Sequence, residues 1–315
     1  MELKLDTIEA ITESIRQILQ SECKEALRII ETKSEVDPHE TVHEIRKHFK
    51  KIRAVLRLVR DTTDRYQEEN QFFRDEARTI SEVRDAEAML EAVGLIEKQF
   101  EDKLYKDAFS DSRKLLLAYR DDLAKKVLQD NRMLKKIRKN TSEKCEALSV
   151  LPMDIDSHES ISPGLKRTYK RGRKAFWEAA ESRSPDAFHE WRKRVKYLRY
   201  QMLTIAPIWP EVLRTWEDEL HRLSDALGTD RDLYMLNKFL EQTEDHPYAE
   251  VDGNPYLLST LIEGHRQQLQ EYALLLGKKL YHYKPSTLIS WIETLWEAQL
   301  AVHKEFPLPL DTLED

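Results

Sequence analysis

Hydrophobic positions along the chain recur every three or four residues, and no segment shows the alternating pattern of a β-strand. Helix starts are marked where an N-cap residue precedes proline, at Asp37-Pro38, Ser162-Pro163 and Ser184-Pro185. Gly94 and Gly228 stand where helices are expected to end. The pattern predicts helices over approximately 5–33, 38–60, 66–93, 95–139 with a break, 163–182, 185–206, 210–227, 229–244, 255–281 and 285–304.

Composition agrees with an all-α fold. The chain has only seven glycines in 315 residues, whereas β-rich proteins use glycine at turns and bulges. Periodicity weakens over residues 140–162, which include Pro152. We therefore divide the chain into a first helical bundle, 1–150, and a second, 151–315. The proline-interrupted segment 306–310 is expected to form an extended tail.

An internal repeat relates the two halves. Residues 43–53 read HEIRKHFKKIR and residues 189–199 read HEWRKRVKYLR, so that six of eleven positions are identical at an offset of 146. Each segment follows a proline at a predicted helix start. Downstream, the pairs Arg84-Asp85 and Arg231-Asp232 also correspond. The repeat indicates a duplication with one helical bundle in each half.

Basic residues of the repeat share one helix face beside an apolar face, because an α-helix turns about 100° per residue. The helix before the second repeat adds four cations at helical spacing, Arg167, Lys170, Arg171 and Lys174. Lys47 and Lys193 are a further pair of identical basic residues in the two repeats. The candidate anion-binding residues are His43, Arg46, Lys47, Lys50, Arg53, Arg57, Arg60, Arg167, Lys170, Arg171, Lys174, His189, Arg192, Lys193, Lys196 and Arg199.

Positive charge is segregated in a chain whose formal net charge is −7. Residues 39–60, 113–139 and 166–199 carry +5, +7 and +8, so the remaining residues carry −27. A charge run is usually a solvated face balanced by opposite charges, but here neighbours at i+3 and i+4 are nearly all positive. Such pairs destabilise a helix by a few tenths of a kcal/mol each. The simplest missing counter-charge is an external anion, and arginine and lysine both suit phosphate oxygens.

The double motif His-x-x-Arg-x-x-x-Lys/Arg-x-x-Arg resembles the signature of the conserved histidine α-helical domain (CHAD) family. The resemblance covers essentially the whole chain. It implies two four-helix bundles with pseudo-twofold symmetry and a basic channel between them that binds inorganic polyphosphate. By this resemblance the channel would be lined by His43, Arg46, Lys50, Arg53, His189, Arg192, Lys196 and Arg199.

This sequence departs from the CHAD pattern at two places. Lys50-Lys51 stands where arginines are usual, and Ser81 replaces a glycine that usually precedes the Arg-Asp pair. Many relatives also carry a triphosphate-processing CYTH domain with a Glu-x-Glu-x-Lys motif. Residues 1–33 contain no such motif, so we expect the stand-alone form.

The two repeat histidines have alternative interpretations. A phosphate contact is favoured for His43 and His189, because a polyanion would raise their pKa and stabilise the doubly donating cation. A structural hydrogen bond is the ordinary alternative. A metal ion could use His39 with His43, but no third ligand is evident and Pro185 replaces His39 in the second copy. We expect no metal.

Two other functions compete with polyphosphate binding. Nucleic acid is the less favoured partner, because no known nucleic-acid-binding motif is present. Aromatic rings that could stack with bases flank the basic face only in the second repeat, at Tyr197 and Tyr200. A metal-dependent polyphosphate-processing enzyme would need metal-binding carboxylates and a positioned nucleophile. The pairs Arg84-Asp85 and Arg231-Asp232 could contact ligand or tie helices together. We expect a non-enzymatic protein without a cofactor.

Location is inferred from bulk features. There is no apolar signal core and no apolar stretch approaching the roughly 20 residues of a membrane helix. The chain has two cysteines, Cys23 and Cys145, which suggest neither a metal site nor a disulfide framework and so fit a reducing compartment. We therefore expect a cytoplasmic protein, with polyphosphate granules as a location that binding would favour.

Overall fold

A computed structural model describes residues 3–5, 11–34, 36–105, 108–128, 132–242 and 255–305. All regular structure in these ranges is helical, which confirms the predicted all-α fold. None of these helices combines the length and the apolar composition needed to cross a membrane. In chain order the helices are α1 (Ile11–Lys33), α2 (Pro38–Leu58), α3 (Tyr66–Thr79), α4 (Ser81–Gln99), α5 (Ser110–Leu128), α6 (Arg132–Ser149), α7 (Ser162–Ser182), α8 (Pro185–Ile205), α9 (Pro210–Glu241), α10 (Pro255–Leu280) and α11 (Pro285–Glu305), with short 3₁₀ helices at His158–Ile161 and Ala206–Ile208.

The two basic helices begin where the sequence predicts. The Asp37 side chain accepts a hydrogen bond from the N–H of Glu40 at 2.9 Å, and α2 starts at the next residue after the cap. The Ser184 hydroxyl accepts from the N–H of Ala187 at 3.3 Å, and α8 follows in the same way. These caps satisfy N–H groups that a helix start would leave unpaired. They set the position of each repeat motif along its helix.

Several predicted helix ends are wrong. Gly94 lies inside α4, and Gly228 lies inside α9, which continues across the break predicted between helices 210–227 and 229–244 and ends at Glu241. The glycine penalty of about 1 kcal/mol inside a helix is outweighed by tertiary packing. Conversely, the predicted helix 66–93 is interrupted at Ile80. The helix propensity of single residues carries no information about such tertiary packing, so it does not predict these helix ends.

The ends of the first and sixth helices also differ from expectation. Leu5 lies outside a helix, and its N–H donates to the carbonyl of Thr204 at 2.9 Å, which ties the N-terminal segment to α8. The predicted boundary region 140–162 begins inside α6, which continues to Ser149. The extended tail expected at 306–310 lies outside the described residues.

Two hydrophobic clusters form the core, and each contains residues from both sides of residue 150. The larger one includes Phe49 of α2 and Trp191 of α8, both fully buried. The smaller one joins α4 and α5 to α9 and α10, with Leu116 and Ile262 fully buried. The division at residue 150 and the pseudo-twofold symmetry stay predictions.

The expectation of unpaired cysteines is wrong. Cys23 of α1 and Cys145 of α6 form a disulfide, with Cα atoms 5.7 Å apart. The sequence does not predict this disulfide, because the two cysteines are 122 positions apart and come together only through the packing of α6 against α1. The cysteine pattern therefore supplies no argument for a reducing compartment.

Candidate anion-binding site

The basic faces of α2 and α8 are directed by the apolar faces beside them. Ile45 and Phe49 of α2 and Trp191 and Val195 of α8 are fully buried. The two helices contact each other, α4 packs against α2, α9 packs against α8, and α4 and α9 pack against one another. Because the apolar faces enter the core, the neighbouring basic faces border one shared space between these four helices.

This space, which we call the central cavity, has a volume of about 550 Å³. Among the residues that the structure describes, its lining contains nine Lys or Arg side chains, two histidines and two carboxylates. So large an excess of one charge is unfavourable without a ligand, since the cations repel one another at low dielectric. The lining residues are His43, Arg46, Lys50, Arg53, Arg78, Arg84, Asp85, Ala88, His189, Arg192, Lys193, Lys196, Tyr197, Arg231, Asp232 and Met235.

Several buried nitrogen atoms of the cavity lining have no hydrogen-bond partner among the described residues. They are the Nε atoms of Arg46 and Arg192, one terminal nitrogen of Arg84, and Nδ1 of His189. A buried donor without a partner costs about 1–3 kcal/mol, more when charged. These atoms come from both repeats, and an anion with several oxygens would satisfy them.

The lysines of the two repeats lie in the same unfavourable environment. Burial, followed by the charges of Arg46 and Arg192, lowers the pKa of Lys50 to about 7. Burial lowers the pKa of Lys196 well below its ordinary value, and the charges of Arg192 and Lys50 act in the same direction. Neither lysine makes an ion pair within the described residues, so each is available to an external anion.

Both repeat histidines favour the neutral form in the free protein. Burial lowers the pKa of His43, assisted by the charge of Arg84. Burial also lowers the pKa of His189 to about 4, assisted by the charge of Arg231. The doubly donating cation expected from the sequence therefore requires the opposing field of a bound anion.

The Arg-Asp pairs of the two halves both line the central cavity. Burial raises the pKa of Asp232, against the opposing effects of Arg192 and Arg84. The charge of Asp85 in turn supports the guanidinium of Arg46. The pairs thus supply charge to the cavity from α4 and α9.

A second group of cations lies where α7 crosses α2. A Cβ atom on Gly164 would stand 2.0 Å from the carbonyl oxygen of Leu58, so only glycine permits this approach. The approach brings cations of α2, α7 and α8 around a small cavity that Tyr197 and Thr168 also line. We call this group the arginine cluster: Arg57, Arg60, Arg167, Arg171 and Arg194.

Four predicted site residues lie outside both groups. Lys47 pairs with Glu44 at 3.2 Å, and Lys174 pairs with Glu178 at 3.4 Å. Lys170 is exposed on α7. Arg199 instead pairs with the buried Glu217 at 2.5 Å, which gives it a structural role on α8.

The sequence-based interpretation omitted Arg78, Arg194 and Tyr197 from the candidate site. Arg78 lies in the last turn of α3, outside the repeated motif, so the repeat gives no reason to select it. Arg194 and Tyr197 lie within the second motif, where the first motif has His48 and Lys51. Because candidate residues are chosen mainly by identity between the two motifs, these two are not selected.

A family model for the CHAD domain matches residues 10–241. The chain belongs to the CHAD family. CHAD domains are associated with inorganic polyphosphate. Among solved structures, the chain is similar to PptA from Streptomyces chartreusis, with a TM-score of 0.60 and 16% identity over 86% of this chain and 99% of that chain. At that identity the likeness concerns the fold. No curated protein sequence matches this chain.

This CHAD chain shows one possible metal-ligand group in the part of it that the structure describes. His158, Glu159 and Glu297 offer ligand atoms within 4.8 Å of one another, and both glutamates are exposed. The group lies apart from the central cavity. The pair His39 and His43 is not part of such a group; His39 instead lies 3.9 Å from a Glu87 oxygen.

Proposed function

We propose that this CHAD protein binds inorganic polyphosphate in the central cavity without chemically changing it. The observation that carries the proposal is the convergence of partnerless buried nitrogen atoms, from Arg46, Arg84, His189 and Arg192, in a cavity with nine described Lys or Arg side chains. A polyphosphate presents charged oxygens on every unit. It can therefore satisfy donors from both repeats at once, and guanidinium groups can engage these oxygens bidentately.

The shape of the site favours a slim inorganic chain over a nucleic acid. Sequence-tolerant binding of single strands relies on exposed aromatic rings that stack with bases. Tyr197 is the one Phe, Tyr or Trp among the described residues of the central cavity lining, and the Arg57 guanidinium lies 4.0 Å from its ring centroid. Tyr200 is buried in the core. The lining thus suits phosphate groups and gives little surface to bases.

The lining also favours binding over catalysis. It contains no serine, threonine or cysteine that could serve as a nucleophile, as far as the described residues extend. Asp85 and Asp232 nevertheless both line the cavity, and burial, with a smaller effect of the Asp85 charge, raises the pKa of Asp232. Two nearby carboxylates make metal-dependent phosphate hydrolysis the second candidate function. Orthophosphate release from polyphosphate with added Mg²⁺ or Mn²⁺ would support that candidate.

The proposal is tested by titration calorimetry with long-chain polyphosphate, tripolyphosphate, single-stranded DNA and duplex DNA at matched phosphate concentration. We expect strong binding of long-chain polyphosphate that weakens with salt, since counterions are released on association. We expect weak binding of both DNAs. Equal affinity for all polymers would instead indicate an open basic surface and contradict selective binding in the cavity.

A further inference from the structure

We infer that the binding site extends from the central cavity into the arginine cluster, so that the protein selects chains long enough to occupy both. The inference rests on the proposed function and adds a preference for chain length to it. The arginine cluster would act as a second subsite for the same polyanion. A short phosphate would fill only the central cavity.

The two groups of cations are continuous. Tyr197 lines both cavities, and the guanidinium groups of Arg57 and Arg53 lie 4.0 and 5.7 Å from its ring centroid. Arg53 belongs to the central cavity and Arg57, one helical turn later, to the arginine cluster. From His43 to Arg60, α2 and the residues after it extend roughly 25 Å at about 1.5 Å per residue. A path of that length greatly exceeds a chain of three phosphates.

The arginine cluster has more positive charge than its own carboxylates balance. Arg167 and Arg60 share Asp61, at 3.2 and 3.7 Å, and Arg194 pairs with Glu190. Arg57 and Arg171 have no ion pair with any described residue. Burial lowers the pKa of both guanidinium groups, and neighbouring arginines of the cluster reinforce the effect.

The hydrogen bonding of the cluster also leaves donors available. Arg57 donates to the Arg53 carbonyl at 3.1 Å and to the Asn70 side chain, and these bonds fix its position without neutralising its charge. The buried Nε of Arg60 has no hydrogen-bond partner among the residues described. Since arginine forks match phosphate oxygens, the cluster has both the charge and the donors to hold further units of the chain.

The close approach at Gly164 explains why this subsite exists in one half of the molecule. Arg167 and Arg171 follow Gly164 at helical spacing on α7, so the crossing carries them to Arg57 and Arg60. At the repeat offset of 146 residues, Arg167 and Arg171 correspond to Ser21 and Glu25 of α1, so the described part of the first half has no matching pair of cations. The extension therefore gives the bound chain one preferred exit.

The test compares Arg171→Ala with the control Lys166→Ala, which removes an exposed charge of the same helix outside the cluster. Binding of long-chain polyphosphate and of tripolyphosphate is measured by calorimetry at several salt concentrations. We expect Arg171→Ala to weaken long-chain binding about three- to tenfold and to reduce its salt slope by about one. We expect tripolyphosphate affinity to stay at the wild-type value, and Lys166→Ala to match wild type for both ligands.

Each outcome separates the subsite from the proposed function. If Arg171→Ala leaves long-chain affinity unchanged while Arg192→Ala reduces it, the central cavity binds polyphosphate and the extension is wrong. Equal losses for long-chain polyphosphate and tripolyphosphate would also overturn the length preference. If Arg192→Ala changes the affinity of neither ligand, the proposed function itself fails. A stronger loss with single-stranded DNA than with polyphosphate would assign the arginine cluster to nucleic acid.

Discussion

Binding of a polyanion should draw protons into the central cavity, and Lys50 provides the clearest case. In the free protein, burial and the charges of Arg46 and Arg192 lower the pKa of Lys50 to about 7. A bound polyanion opposes these effects and returns the pKa toward its ordinary value. The complex therefore holds more protons than the free protein above pH 7. Affinity is then greatest at low pH and falls as pH rises, by about tenfold per pH unit for each proton taken up.

The magnitude can be measured by comparing wild type with Lys50→Met. At about pH 8.5 the free Lys50 amine is almost entirely neutral, so its charging contributes about one proton per binding event. At about pH 6 it is already charged and contributes roughly a tenth of a proton. Calorimetry in two buffers with different ionisation enthalpies counts these protons. The variant should take up about one proton fewer than wild type at the higher pH and nearly the same number at the lower.

Lys24→Met is a suitable control, because Lys24 is exposed on α1 and does not line the central cavity. It should reproduce the wild-type proton uptake at both pH values. The reasoning is refuted if wild type binds polyphosphate with no dependence on buffer at the higher pH. It is equally refuted if Lys50→Met takes up as many protons as wild type there.

Three further predictions concern stability and binding. Gly164→Ala should lower the free energy of unfolding by about 1–3 kcal/mol in urea denaturation, because the added Cβ collides with the Leu58 carbonyl of α2; an unchanged value would contradict the close crossing. Reduction of the Cys23–Cys145 disulfide should lower stability by about 2–4 kcal/mol in thermal denaturation with and without reductant, and Cys23→Ser should then show no effect of reductant. Arg192→Ala should weaken long-chain polyphosphate binding about tenfold or more without lowering the melting temperature, because it removes a buried guanidinium whose Nε has no partner; unfolding of the variant would indicate a structural role instead.

The sequence predicts most of the fold and the core of the candidate site because both depend on local patterns. Proline after an N-cap residue determines where α2 and α8 begin, and helical periodicity separates basic from apolar faces. Identity between the repeats then selects Arg46, Lys50, Arg192 and Lys196, all of which the structure brings into one cavity. Local rules and duplication act here in the same direction.

What the sequence could not predict depends on contacts between distant segments. Arg199 matches Arg53 in the repeat, yet it pairs with Glu217 of α9 and leaves the cavity. Gly228 is predicted to end a helix but lies inside α9. It faces Arg192, since a Cβ atom added at Gly228 would lie 3.6 Å from the Nε atom of Arg192. The disulfide joins helices that are separated along most of the first half. None of these contacts leaves a periodic signal.

The central claim is that polyphosphate lies between α2 and α8, and a crystal structure of the protein with bound polyphosphate tests it most directly. We predict a chain of phosphate density in the central cavity, with oxygens within hydrogen-bond distance of the Nε atoms of Arg46 and Arg192. Phosphate density confined to the exposed face of α7 that carries Lys170 and Lys174, with an empty cavity, would contradict the account.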